Sequence, residues 1–212
     1  AALELTHASG ITIGAEALTL NSDGISSGGA LRNISGNNTY GGLITQASAS
    51  RINSDAGTLT LDVASGNAIT GNFNLTFGGV GNITVADPIA TSTATLTKDG
   101  SGTLILSGAN TYSGGSTIKA GILQGNYTAV SASTSSFGAN TGTITIGNTS
   151  GSDSATLLVG YTGLIYAQPI VLATGTSGTL TIGNTGTAIS TTFSGGVTGT
   201  NNLTINENAT SG

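Results

Sequence analysis

The chain has 212 residues, of which only 6% are charged, and carries a formal net charge of −5. Its basic residues are Arg32, Arg51, Lys98 and Lys119, too few to track a phosphate backbone or an anionic bilayer, which excludes nucleic acid and an anionic membrane surface as partners. There is no cysteine, hence no disulfide, thiolate nucleophile or thiolate metal site, and a hydrophobic share of 37% argues for folding rather than disorder.

Strand signals recur along the chain. Residues 11–13 (ITI), 17–20 (ALTL), 58–61 (TLTL), 74–77 (NLTF) and 82–85 (NITV) alternate an aliphatic or aromatic residue with a polar one. The same pattern returns at 103–106 (TLIL), 143–146 (TITI), 179–182 (TLTI) and 202–205 (NLTI). A period of two sends the apolar side chains to one face and Thr to the other, and β-branched Thr suits a pleated, solvated surface. Between the runs lie turn dipeptides, Asp23-Gly24, Asp99-Gly100 and Ser107-Gly108. The pairs Gly78-Gly79, Gly114-Gly115 and Gly195-Gly196 free the backbone for positive φ. Pro88 and Pro169 each precede an apolar run, where a strand start tolerates proline. No window has a helical period, and no apolar stretch is long enough for a membrane-spanning helix. The chain has no Met and opens directly in strand-like sequence, as expected for an interior or processed piece of a longer chain.

Short alternating strands suit a sandwich, a meander barrel or a parallel β-helix. The first two favour tight Asn-Gly hairpins, and this sequence has no Asn-Gly. Self-similarity favours the third. Residues 34–45 (ISGNNTYGGLIT) repeat the middle of residues 96–124 (LTKDGSGTLILSGANTYSGGSTIKAGILQ). Setting Tyr40 against Tyr112 gives an offset of 72 residues, which divides into three coils of 24. The expectation is an all-β solenoid, one β-helical segment over 1–212, with about nine rungs and a length of roughly 40 Å.

Residues 96–124 resemble the autotransporter-associated β-strand repeat, also called the passenger-associated transport repeat. The likeness rests on an L-x-K-x-G-x-G-T-L-x-L-x-G-x-N-T-Y core followed by Gly-Gly-x-Thr and Ala-Gly-x-Leu. Residues 34–45 are a partial second copy without the Lys-x-Gly entry. The resemblance implies a right-handed parallel β-helix in a large secreted or surface-displayed bacterial protein. It implies a role in passenger export and folding, with outer-membrane association only through another part of the parent chain.

The repeat assigns structural roles. Leu96, Leu104, Leu106 and Leu123 are core residues by alternation. Gly100, Gly102, Gly108, Gly114, Gly115 and Gly121 read as turns; a phosphate cradle would need a following helix and a Lys-Ser/Thr ending. Asn110 and its counterpart Asn38 are either stacked ladder residues or solitary turn residues. Tyr112 and its counterpart Tyr40 read as packing residues at a corner, with the hydroxyl in water. The outer face is taken to include Thr103, so that Leu104→Asp should disrupt the coil while Thr103→Asp is mild.

No catalytic, cofactor or metal site is expected. His7 has no second His or Cys beside it, and no calcium nonapeptide repeats. The acids are scattered, and Asn-x-Ser/Thr sequons, as at Asn33, Asn74 and Asn208, are frequent by composition. The first functional expectation is a non-enzymatic stalk, adhesive surface or self-assembling filament unit, extracellular or on the bacterial surface. Its partners would be other copies, through coil ends or sides, or surface glycans. The alternative is a carbohydrate-binding or carbohydrate-cleaving β-helix, which needs Asp55, Asp62, Asp99, Tyr112 and Tyr161 to converge in one groove.

Overall fold

The computed structural model describes residues 1–186 and 189–207, so the sequon at Asn208 lies outside the described residues. The chain winds in successive coils. Coil 1 holds β1 (Leu3–Thr6), β2 (Thr12–Ile13) and β3 (Leu18–Leu20). Coil 2 holds β4 (Leu31–Ser35), β5 (Asn38–Tyr40) and β6 (Ile44–Gln46). Coil 3 has β7 (Ser50–Ser54), β8 (Thr58–Leu61) and β9 (Ile69–Thr70), and coil 4 has β10 (Leu75–Gly78), β11 (Asn82–Val85) and β12 (Ile89–Ala90). Coils 5 and 6 contribute only two strands each: β13 (Leu96–Lys98) with β14 (Thr103–Leu106), then β15 (Ser116–Ile118) with β16 (Gly121–Gly125). Coil 7 has β17 (Ile144–Ile146), β18 (Ala155–Val159) and β19 (Leu164–Tyr166), and coil 8 has β20 (Ile170–Leu172), β21 (Leu180–Asn184) and β22 (Thr191–Phe193). Coil 9 adds β23 (Val197–Thr198) and β24 (Leu203–Asn206).

Equivalent strands stack. The first face is a 9-stranded sheet, β1-β4-β7-β10-β13-β15-β17-β20-β23, and the second a 9-stranded sheet, β2-β5-β8-β11-β14-β16-β18-β21-β24. The third is broken into a 4-stranded sheet, β12-β9-β6-β3, and a 2-stranded pair, β19-β22. All these strand pairs are parallel. The molecule is a β-solenoid whose nine strand levels are separated by about eight turns, in line with the expected rungs.

Alternation builds the core. In β8, Leu59 and Leu61 are buried while Thr58 and Thr60 stay partly exposed. One inward column runs Leu59, Ile83, Leu104, Leu123, Leu157, Ile182. Each member is covered by the coils below and above. Burying one such side chain contributes about 1.5–3 kcal/mol, which a single coil could not obtain by itself. Where the inward column of the second face falls to Gly125, Phe137 fills the space: a Cβ at Gly125 would stand 2.5 Å from its ring. Phe137 is carried there by the excursion of residues 126–143 and continues through Tyr166 to Phe193, with ring centroids 5.2 and 5.5 Å apart.

Three expectations are corrected. The coils are not of one length: Thr103 pairs with Ile122 after 19 residues, and Gly121 with Ala155 after 34. Strand pairing fixes register on the faces, while the corners absorb insertions. For the same reason an offset of 72 residues is not three turns. Tyr40 lies beside Leu61, Leu61 beside Val85 and Val85 beside Leu106, so three coils on from Tyr40 stands Leu106. Tyr40 belongs to the second face, whereas Tyr112 follows the third face, where the Thr111 N–H bonds to the Ile89 carbonyl of β12. Finally, Thr103 is only 7% exposed. It is wedged between Asn82, whose Oδ1 accepts its N–H at 3.0 Å, and Ile122 above.

Candidate functional site

The repeat residues divide into an apolar lining, a glycine corner and two Asn-Thr-Tyr units. Leu96, Leu104, Leu106 and Leu123 all point inward and are at most 1% exposed. Gly100 has φ +73°, and a Cβ there would meet the Gly79 carbonyl oxygen at 2.4 Å, so both the backbone conformation and the stacking require glycine. Gly115 and Gly121 also have positive φ, whereas Gly102, Gly108 and Gly114 do not; these three sit where backbone of the preceding coil leaves no room for a Cβ. Gly121 opens β16 rather than lying in a turn.

Asn38 and Asn110 occupy different faces but make the same local structure. Asn38 Oδ1 accepts the Ile11 N–H at 2.7 Å while the next N–H, of Thr39, donates to the Ile11 carbonyl. Asn110 Oδ1 accepts the Ile89 N–H at 2.8 Å while the Thr111 N–H donates to the Ile89 carbonyl. Each Asn thus mimics one more strand residue and clasps the coil beneath. This is neither an Asn ladder nor a solitary turn residue. Asn37, Asn72, Asn74 and Asn82 likewise accept N–H groups of Thr58, Thr93, Thr95 and Thr103 on the next coil.

The tyrosines after these Asn residues are buried, and their hydroxyls are bonded rather than wet. Tyr40 donates to the Glu16 carbonyl at 2.5 Å, and the Tyr112 hydroxyl shares a 2.8 Å hydrogen bond with the Ser116 hydroxyl. Burial raises the pKa of both, because the phenolate would lack water.

Sequence reasoning missed the residue at the centre of the repeat entry. Lys98 follows Leu96 by two, so alternation turns it inward, into the column Ile52, Phe77, Lys98, Ile118, Ile146. It is 3% exposed. Its stem packs among aliphatic neighbours and its ammonium reaches the corner between the first and second faces. There Nζ donates to the carbonyls of Asp99 and Gly100 at 2.7 Å each, and to that of Ala120, one coil on, at 3.3 Å. A Cβ at Gly121 would stand 2.9 Å from Nζ, so the glycine leaves the approach open. Burial pulls the Lys98 amine down to about 8; Asp99 opposes the shift and Arg51 adds to it.

Among the described residues, the same corner gathers most of the ion pairs. Arg51 forms a bidentate pair with Asp99, Nη1 to Oδ2 at 2.8 Å and Nη2 to Oδ1 at 2.7 Å. Asn53 Oδ1 accepts from Arg51 Nε and Nη2, and Asn53 donates to Asp55 at 2.6 Å. Arg32 holds Asp55 at 2.6 Å and reaches Glu4 at 3.3 Å. The groove that the carbohydrate-binding alternative requires is not formed. Asp55 and Asp99 are neutralised by arginines, Asp62 and Tyr161 are exposed elsewhere, and Tyr112 is buried. His7 is exposed, and no group of three or more His, Asp or Glu could hold a metal among the described residues.

These features define a β-solenoid stitched at its corners by side chains that reach from coil to coil. Compared with known families, residues 96–124 match the passenger-associated-transport-repeat, and this segment of the chain is such a repeat. Solenoid and repeat together fit a passenger segment of an autotransporter. Neither the curated proteins nor the solved structures contain a match to the chain.

Proposed function

We propose that this chain is a non-enzymatic spacer, a stiff stalk segment of a secreted or surface-displayed bacterial protein. The observation that carries this reading is the unbroken run of two 9-stranded parallel sheets around one continuous apolar interior. Such a stack converts chain length into height at about 4.8 Å per coil and resists bending because every coil is bonded to both neighbours. Arg32 and Arg51 pair with Asp55 and Asp99, and the Lys98 ammonium is held by backbone carbonyls, so these charges are engaged within the fold, which supports a scaffold over a catalyst. Adhesion would then belong to other parts of the parent chain or to the outer faces. The carbohydrate-cleaving alternative draws no support from Asp55 and Asp99, whose carboxylates are held by arginines.

Sedimentation over a hundredfold concentration range, with electron microscopy of the same samples, tests the reading. A spacer stays monomeric throughout. Ordered fibres or sheets would instead make assembly through coil ends or sides the function. Hydrolysis of a polysaccharide panel by the purified chain would overturn the non-enzymatic assignment.

A further inference from the structure

Arg51 lies on coil 3 and Asp99 on coil 5, 48 residues apart in sequence. Their bidentate pair crosses coil 4 at Gly78, the last residue of β10. A Cβ on Gly78 would stand 1.9 Å from Arg51 Nη2 and 2.3 Å from Asp99 Oδ1, so the pair passes through the space that a side chain would fill. Asp99 is also a junction. Its carboxylate ties downward to coil 3, while its carbonyl accepts the Lys98 ammonium, which continues to the Ala120 carbonyl on coil 6. Below Arg51, the chain of contacts runs through Asn53, Asp55 and Arg32 to Glu4 on coil 1. Among the described residues no ion pair ties coils 7 to 9.

We propose that the entry of the repeat is a latch: Arg51, Gly78, Asp99 and Lys98 lock coils 3 to 6 into one cooperative unit that opens and closes together. In a stack where each coil normally contacts only its neighbours, opening can begin at any level. A strap that skips a coil removes this freedom, because coil 4 cannot leave while coils 3 and 5 are joined across it. The latch closes only when coil 5 is laid down, so the repeat completes the unit that precedes it. Coils 7 to 9 open independently of it.

The test uses the intact chain, hydrogen–deuterium exchange and two substitutions that remove the same strap by different means. Asp99→Asn keeps the backbone carbonyl for Lys98 but weakens the ion pair. Gly78→Ala adds a methyl group that the far end of the Arg51 side chain must avoid, at little cost to the backbone. Each should speed exchange of the strand amides of coils 3 to 6 about tenfold, the effect of losing a partly buried bidentate pair. Coils 7 to 9 should be unchanged. The double variant should be no faster than either single one, because both remove one interaction. Effects that multiply in the double variant, or that stay within the residues next to each substitution, would overturn the latch.

Discussion

The buried lysine gives a pH dependence opposite to that of most folds. The Lys98 amine has a folded pKa of about 8 against 10.5 in the unfolded chain. Between those values the unfolded chain binds more protons than the folded one, so stability rises with pH. The burden of burying the ammonium is fully present below pH 8 and is lifted as pH climbs toward 10.5. From the two pKa values, the gain relative to neutral pH is about 1 kcal/mol at pH 9 and between about 2 and 3 kcal/mol at pH 10. Tyr40, Tyr112 and Tyr166 act the other way, because their folded pKa values lie above the usual 10, and they cost stability as pH approaches 10, where the phenols of the unfolded chain are already half ionised. The useful window is therefore pH 7 to 9. Urea unfolding followed by circular dichroism at pH 7, 8 and 9 should show a rising midpoint in the wild type. Lys98→Met, which restores an apolar residue between Phe77 and Ile118, should remove that rise. Equal pH slopes in the two proteins would refute the assignment of a desolvated, carbonyl-held ammonium.

Three other substitutions probe the fold. Leu104→Asp places a carboxylate between Ile83 and Leu123 and should cost more than about 4 kcal/mol in urea unfolding, while Thr45→Asp on the exposed third face should stay within about 0.5 kcal/mol. Asn110→Ala leaves the buried Ile89 N–H without its acceptor and should cost about 1–3 kcal/mol; Asn38→Ala should match it in the same assay, since Asn38 serves Ile11 in the same way. Gly100→Ala must adopt φ +73° against the Gly79 carbonyl and should lower the thermal midpoint more than Thr97→Ala on the outer face of β13.

The lining of the solenoid was legible because alternation is local. Leu104 and Leu106 reveal their direction within four residues, and the stack does the rest. Lys98 obeys the same parity with Leu96, but its charge argues for the surface, and only the corner carbonyls reconcile the two. The Asn-Thr-Tyr likeness of 38–40 and 110–112 was legible as well, and it is real as a local hydrogen-bond unit. Its placement was not legible, because corner insertions change coil length and carry Tyr112 to another face than Tyr40. Contacts that skip a coil, such as Arg51 with Asp99 over Gly78, leave no periodic trace in the sequence. They depend on three coil lengths at once, and the glycine that admits them looks like any other turn glycine.

A solenoid spacer converts chain length into height, one strand spacing per coil. Thr76, Thr97, Thr117, Thr145, Val171 and Thr198 stand side by side on successive coils of the first face. With no native cysteine, pairs of these sites can be spin-labelled cleanly. Pulsed electron–electron resonance should place Thr76 and Thr145 about 14 Å apart and Thr76 and Thr198 about 24 Å apart, before the length of the labels. Distances that fail to grow by about 4.8 Å for each coil crossed would contradict the stack and the spacer built on it.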